Sequence, residues 1–239
     1  MNTPTKHTIR DYAINLNTSE FKEAISNIMT LYPDIKDIVE TGTFDGLGST
    51  KVFAITGKDV FSIECNEGNF KTASNNLRYY DNVCVIHGLS VDRKFLIRKL
   101  LEEDFTLDTS YDSKNPKTFY MREVVQSVVQ EDCLRLFSDN DRRQLIFLDS
   151  AGGVGYIEFN YLMGFSKDNL ENKILVLDDC NHIKHKRSIQ FLYSLGYKVN
   201  MSSDYRFGWC DLSTIGFYNS EESIANVETW MNIKKNTKN

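Results

Sequence analysis

Five acidic residues close apolar runs in this chain: Glu40 after Asp37-Ile38-Val39, Glu64 after Val60-Phe61-Ser62-Ile63, Asp149 after Leu145-Ile146-Phe147-Leu148, and the pair Asp178 and Asp179 after Ile174-Leu175-Val176-Leu177. Runs of this kind read as buried strands of a parallel sheet. In a doubly wound sheet ligands bind outside the carboxyl ends of the strands, so all five acids are expected on one rim. Carboxylates crowded there repel one another unless they are separated, solvated or neutralised by a cation. Asp149 with the Asp178/Asp179 pair offers the hard oxygen donors that suit Mg²⁺. Neighbouring strand residues point to opposite faces unless the strand has ended, so Asp179, the later of the two, is expected to join Asp149 as a metal ligand.

The stretch Asp178-Asp179-Cys180-Asn181-His182-Ile183-Lys184-His185 carries further chemistry. His182 is the candidate general base, because an imidazole near its ordinary pKa of ~6.5 is mostly neutral at neutral pH; helix capping or loop anchoring would explain the same residue. Cys180, His182 and His185 form a lone C-x-H-x-x-H with no second cysteine pair, which is a weak zinc pattern. Lys184 and His185 are expected on the solvated start of the next helix.

Between the first two acids runs Glu40-Thr41-Gly42-Thr43-Phe44-Asp45-Gly46-Leu47-Gly48-Ser49-Thr50, a glycine-rich passage from strand to helix. Its glycines let the backbone turn sharply and approach a ligand, and the helix that follows aims free N–H groups at it. Gly42, Thr43, Gly46 and Ser49 are therefore candidate ligand contacts. Glu64 ends the second strand about 20 residues on, where an acid that grips a ribose diol belongs. The spacing is neither G-x-G-x-x-G nor a phosphate loop, since Lys51 follows Ser49-Thr50 and reverses the phosphate-loop order. Ser90, in Gly88-Leu89-Ser90 after the third strand Val83-Cys84-Val85-Ile86, is either a further ligand contact or a helix N-cap.

The stretch Val39 to Gly46 resembles motif I of class I S-adenosylmethionine-dependent methyltransferases, especially small-molecule O-methyltransferases of the catechol type. Glu64, Gly88-Leu89-Ser90 and Phe147-Leu148-Asp149 follow in the family's order, and the likeness runs from about residue 36 to 218. It implies a Rossmann-like α/β fold, doubly wound, with a mostly parallel seven-stranded sheet and a C-terminal antiparallel hairpin. It also implies S-adenosylmethionine as cofactor, with Glu40 and the glycine turn on the methionine part, Glu64 on the ribose and Ser90 on the adenine edge. Asp149 is expected to serve cofactor, catalysis and metal alike. The expected activity is methyl transfer to a hydroxyl of a small molecule, a sugar or hydroxylated metabolite, with possible help from Mg²⁺ on Asp149 and Asp179. Two departures bear on this: Cys180 stands where the family's metal-binding asparagine would be, and Gly152 stands where it carries a lysine. The alternatives are a nicotinamide-dependent oxidoreductase, disfavoured by the absent G-x-G-x-x-G and the late hairpin, and a non-catalytic cofactor-binding protein of the same fold.

The elements that must position these residues follow from periodicity. The 239 residues, 41% of them hydrophobic, suit one domain over 1–239, with an N-terminal arm and helix over 1–35 and a helical insertion around 91–143. Asn17 is the expected N-cap of the first helix, with Glu20 three residues on and Phe21, Ile25, Ile28 and Met29 at helical spacing. The polar stretch 104–118 is expected to be a mobile surface loop, with disorder or a lid over the substrate as the alternatives. Gly152-Gly153-Val154-Gly155-Tyr156 reads as a flexible wall, Tyr205-Arg206-Phe207-Gly208-Trp209 as an aromatic wall for the acceptor, and Tyr197-Lys198-Val199 with Thr214-Ile215-Gly216-Phe217-Tyr218 as the final antiparallel pair. The net charge of −5, from 28 basic and 33 acidic residues without a basic stripe, argues against a nucleic-acid partner. The five cysteines contain no C-x-x-C pair and fit a reducing cytoplasm. With no apolar run near the ~18 residues of a membrane span, the expected partners are a small hydroxylated acceptor and, at most, a second copy in a homodimer.

Overall fold

The computed structural model describes residues 16–102, 116–126, 129–165, 169–181 and 183–213. Strands and helices alternate through the first half: α1 (Ser19–Leu31), β1 (Asp37–Thr41), α2 (Ser49–Ala54), β2 (Asp59–Glu64), α3 (Glu67–Leu77) and β3 (Val83–His87). Three helices follow between β3 and the next strand, α4 (Arg93–Glu102), α5 (Pro116–Gln126) and α6 (Cys133–Ser138). The second half holds β4 (Gln144–Leu148), α7 (Gly153–Phe165), β5 (Lys173–Leu177), α8 (Ile183–Ser194), β6 (Asn200–Met201) and β7 (Gly208–Asp211). The described strands form one sheet in the order β3-β2-β1-β4-β5-β7-β6, parallel throughout except for β7, which runs antiparallel to both its neighbours. The order reverses between β1 and β4, so the carboxyl ends of these two strands flank the switch point where ligands bind.

The central strands are buried on both faces and sort their side chains by parity. Ile38, Val60, Leu145, Phe147, Ile174 and Val176 enter a cluster with α1 and α2, while Val39, Ile63, Ile146, Leu148, Leu175 and Leu177 enter another with Phe159 and Leu162 of α7 and Ile189 and Leu192 of α8. Leu96 and Leu100 of α4, Tyr120 and Val124 of α5 and Ile157 of α7 form a third cluster. No described helix is long and apolar enough to cross a membrane.

Several sequence expectations shift. Thr18 rather than Asn17 caps α1, its hydroxyl accepting the Phe21 N–H at 3.2 Å. Among the described residues the late antiparallel pair is β6 and β7, and 197–199 lies before the first of these strands. Gly196, at φ +83, ends α8 in a left-handed turn, and the Tyr197 N–H returns to the Leu192 carbonyl at 3.0 Å. Tyr197 and Val199 thus alternate like a strand but belong to a helix stop packed into the core. Residues 214–218 lie outside the described residues, as do the arm at 1–15 and positions 104–115 of the expected loop; its last residues open α5. Gly153 and Gly155 are no flexible wall but the first turn of α7, with Gly152 just before it. Of the aromatic wall, Phe207 is core, edge-on against Phe21, and the partly buried Trp209 packs against Tyr32.

Phe21 anchors the face formed by α1 and α2. Its ring lies 5.2 Å from that of Phe207, 5.7 Å from Phe147 and 5.8 Å from Phe53. Phe21→Ala is expected to cost about 3–5 kcal/mol, read as a lower urea midpoint with an unchanged slope. A loss below about 1 kcal/mol would show that this face collapses around the missing ring.

Candidate active site

The glycine turn begins where β1 ends. Gly42 takes φ +81, and a Cβ there would stand 2.7 Å from the Asp149 carbonyl oxygen. The Gly42 N–H meanwhile donates to the Ile63 carbonyl at 3.0 Å. Only glycine fits this double approach, and it draws the ends of β1, β2 and β4 together. Gly46, at φ +76, does the same for α3, since its Cβ would meet Leu77 Cδ1 at 2.6 Å.

Glu64 faces this turn. Its Oε2 accepts the Phe44 N–H at 2.8 Å and its Oε1 the Asn66 N–H at 2.7 Å. The residue is 7% exposed. Burial pushes its pKa up to about 7, while the backbone donors of Asn66 and Phe44 hold it from rising further. Phe44 itself is half exposed and takes φ 54, a left-handed conformation that strains a non-glycine residue.

Glu40 and Ser49 are turned away from the rim. Glu40 is fully buried, with the Ser49 hydroxyl donating to Oε1 and the Ser62 hydroxyl donating to Oε2 at 2.5 Å. These contacts tie β1 to α2 and β2 beneath the turn. Thr43 is buried too, its hydroxyl 2.6 Å from that of Ser62. Ser90 likewise spends its hydroxyl inward, on Glu158.

Glu158, on α7, went unnoticed in the sequence although it is the lone acid of a thirteen-residue apolar helix. It is fully buried and collects hydroxyls: Thr41 donates to Oε2 at 2.8 Å and Ser150 to Oε1 at 2.6 Å. Burial raises its pKa and the Ser150, Ser90 and Thr41 hydroxyls oppose the rise. Thr41 Oγ1 also accepts the Asp149 N–H at 3.2 Å, so Glu158 steadies the loop that carries Asp149.

β5 ends at Leu177, and Asp179 takes φ 52. With the strand finished, the alternation of faces no longer separates the pair, and Asp149, Asp178 and Asp179 bring one carboxylate oxygen each within 4.8 Å of the others. Both neighbours join Asp149, rather than Asp179 alone. Two internal cations stand at these acids. Lys184 Nζ lies 2.5 Å from Asp149 Oδ1, 3.1 Å from the Asp149 carbonyl oxygen and 3.3 Å from Asp179 Oδ2. Arg206 Nε donates to Asp178 Oδ1 at 3.2 Å. Burial works against the Lys184 charge, but Asp149, Asp179 and Asp178 outweigh it and hold the ammonium well above the ordinary lysine range.

Lys184 and His185 were expected in solvent and are both buried. The reason is Gly155, where a Cβ would meet Lys184 Cγ and His185 Nε2 at 2.9 Å each. The bare backbone of α7 lets the start of α8 sink into the site. His185 Nε2 lies 3.2 Å from the Leu148 carbonyl, which only accepts, so Nε2 carries the proton and Nδ1 accepts from the Ser188 hydroxyl at 3.1 Å. Burial, with the Lys184 charge behind it, holds His185 neutral with a pKa well below the usual range. Cys180 is fully buried with Sγ 3.2 Å from the Leu177 carbonyl, and burial drives its thiol pKa well up. The zinc reading of Cys180 and His185 fails on these contacts, and His182 lies outside the described residues.

The Glu64 carboxyl makes a pH-dependent contribution to stability. A folded-state pKa raised above the ordinary ~4.5 favours the fold below that value and loses the benefit as pH rises through about 7. Glu64→Gln should remove this decline. Between pH 5 and pH 8 the variant should gain roughly 2 kcal/mol on the wild type in urea unfolding. Parallel pH profiles for the two proteins would show that Glu64 titrates as an exposed acid.

No protein-family model matches the chain, and no curated protein sequence does. Solved structures do. A protein assigned as a caffeoyl-CoA O-methyltransferase from Staphylococcus aureus aligns with a TM-score of 0.50 at 15% identity, covering 85% of this chain and 90% of its own. An O-methyltransferase from Bacillus cereus, solved in complex with SAH, aligns at 0.47 with 13% identity over 84% and 83% of the two chains. A protein assigned as an O-methyltransferase from Klebsiella pneumoniae aligns at 0.47 with 11% identity over 86% of each. At such identities the likeness speaks for architecture, and the first of these alignments agrees with the sheet order and its single antiparallel strand: the chain has the fold of the class I methyltransferases.

Proposed function

We propose that the protein transfers a methyl group from S-adenosylmethionine to a hydroxyl of a small acceptor. The observation that carries this reading is the pairing of Glu64 with the glycine turn: a buried carboxylate held by the Phe44 and Asn66 N–H groups at the end of β2, facing a turn whose tight approaches exclude any side chain at residues 42 and 46. An ionised carboxylate offers about four acceptor positions, so the Asn66 and Phe44 N–H groups, with Cys65 as a lesser third, leave capacity for a ribose hydroxyl. When bound, S-adenosylmethionine supplies a methyl on a positively charged sulfur that leaves as a neutral thioether. The protein's part is to hold the acceptor oxygen in line with that methyl, exclude water and take up the hydroxyl proton.

His182 is the proposed base, placed by sequence between the acidic end of β5 and the start of α8. Lys184 does not suit that role, because its three carboxylate neighbours keep it protonated. Asp149 and Asp179 border the acceptor's place. A divalent ion on these two acids, which the resemblance implies, would have to share the position with the Lys184 ammonium.

Calorimetry with S-adenosylhomocysteine tests the cofactor site. Binding at micromolar or tighter affinity is expected, and Glu64→Ala should weaken it ten- to a hundredfold, since a hydrogen bond to a charged group contributes about 1.5–3 kcal/mol. Equal affinity in the variant would take Glu64 out of the site. With an acceptor in hand, His182→Ala should lower kcat by about 10²–10⁴ and leave the cofactor Kd unchanged, and the wild-type rate should rise with pH through the imidazole titration. A variant with wild-type kcat and an unaltered pH profile would remove His182 as the base.

A further inference from the structure

We infer that the Lys184 ammonium is the cation of this site, standing where a divalent ion would bridge Asp149 and Asp179, and that the protein works without a metal. The second clause rests on the methyl-transfer reading; the first does not. An ammonium is a donor only, and among the described residues this one reaches the Asp149 carbonyl, Asp149 Oδ1 and Asp179 Oδ2. The lysine side chain is 3% exposed while that of Asp179 is 41% exposed, so the charge lies behind the carboxylates, on the protein side of the rim. The third acid, Asp178, is matched by Arg206. Among the described residues these three carboxylates face two fixed cations, and an ammonium seated between two of the acids repels a divalent ion.

The donor chemistry points the same way. Mg²⁺ needs near-octahedral oxygen ligands at about 2.0–2.1 Å and keeps several waters. To reach Asp149 Oδ1 and Asp179 Oδ2 it would have to displace a buried ammonium or lie directly against one. The next residue, Cys180, is a soft ligand turned to the Leu177 carbonyl. The arrangement is also built for the lysine: Gly155 offers no Cβ where the Lys184 stem crosses α7, at a distance of 2.9 Å from an ideal Cβ to Lys184 Cγ.

The test needs no turnover. The full chain is titrated with Mn²⁺ by electron paramagnetic resonance and with Mg²⁺ by calorimetry, in the wild type, in Lys184→Met, which keeps the apolar stem, and in Lys184→Met with Asp149→Asn. The wild type should show no saturable site up to millimolar ion, and its thermal midpoint should be the same in chelator and in excess Mg²⁺. Lys184→Met should acquire a site at least tenfold tighter, which the added Asp149→Asn abolishes. A wild-type Mn²⁺ site of micromolar affinity that Asp149→Asn removes would overturn the inference, and so would a folded Lys184→Met as indifferent to metal as the wild type. If Lys184→Met does not fold, the wild-type titrations decide alone. S-adenosylhomocysteine calorimetry on the same wild-type protein reports separately on the methyl-transfer reading, so a failure there leaves the metal result standing.

Discussion

The approach of the Gly42 backbone to the Asp149 carbonyl sets the rest of the site. A side chain at residue 42 would have to share space with that oxygen, and the same residue gives its N–H to Ile63. One position therefore fixes the spacing of three parallel strand ends. Thr41 extends the junction by accepting the Asp149 N–H and donating to Glu158, so the loop after β4 is held from below by α7 as well as from the side by β1. The acids of the rim are where they are because these ends cannot move apart independently.

Taking so many carboxylates out of water demands compensation, and the protein uses three kinds. Glu40 and Glu158 are wrapped in hydroxyls, which suits a group whose task is to hold loops together. Asp149, Asp178 and Asp179 are matched by fixed cations. Glu64 receives backbone N–H groups from the turn and from the start of α3, and it retains unused acceptor capacity toward the rim. The type of partner separates the acids that build the site from the one best able to take up a ligand, a distinction that spacing along the chain does not carry.

Much of the architecture was legible from the order of residues. Continuous apolar runs at 145–148 and 174–177 announce strands buried on both faces, and the glycine turn after Val39 announces the switch point. Glu40 misled only as to its partners, because the hydroxyls that hold it, on Ser49 and Ser62, come from two other elements. Lys184 and His185 misled for another reason. The run Lys184-His185-Lys186-Arg187 has the composition of a solvated helix start, and only the glycine at 155, nearly thirty positions earlier, reveals that a neighbouring helix has made room for it. Position 152 is glycine, and the ammonium that reaches Asp149 comes instead from Lys184 on α8. The first of the late strands was misplaced because a helix stop followed by Tyr197 and Val199 imitates the alternation of a strand.

Gly155 and Lys184 therefore form a two-residue unit split between neighbouring helices. Any chain of this fold with a side chain at the first position would push the second outward, uncovering the carboxylates and leaving their charge to be balanced by an ion from solution. A chain with both residues carries its own counter-charge wherever it is made.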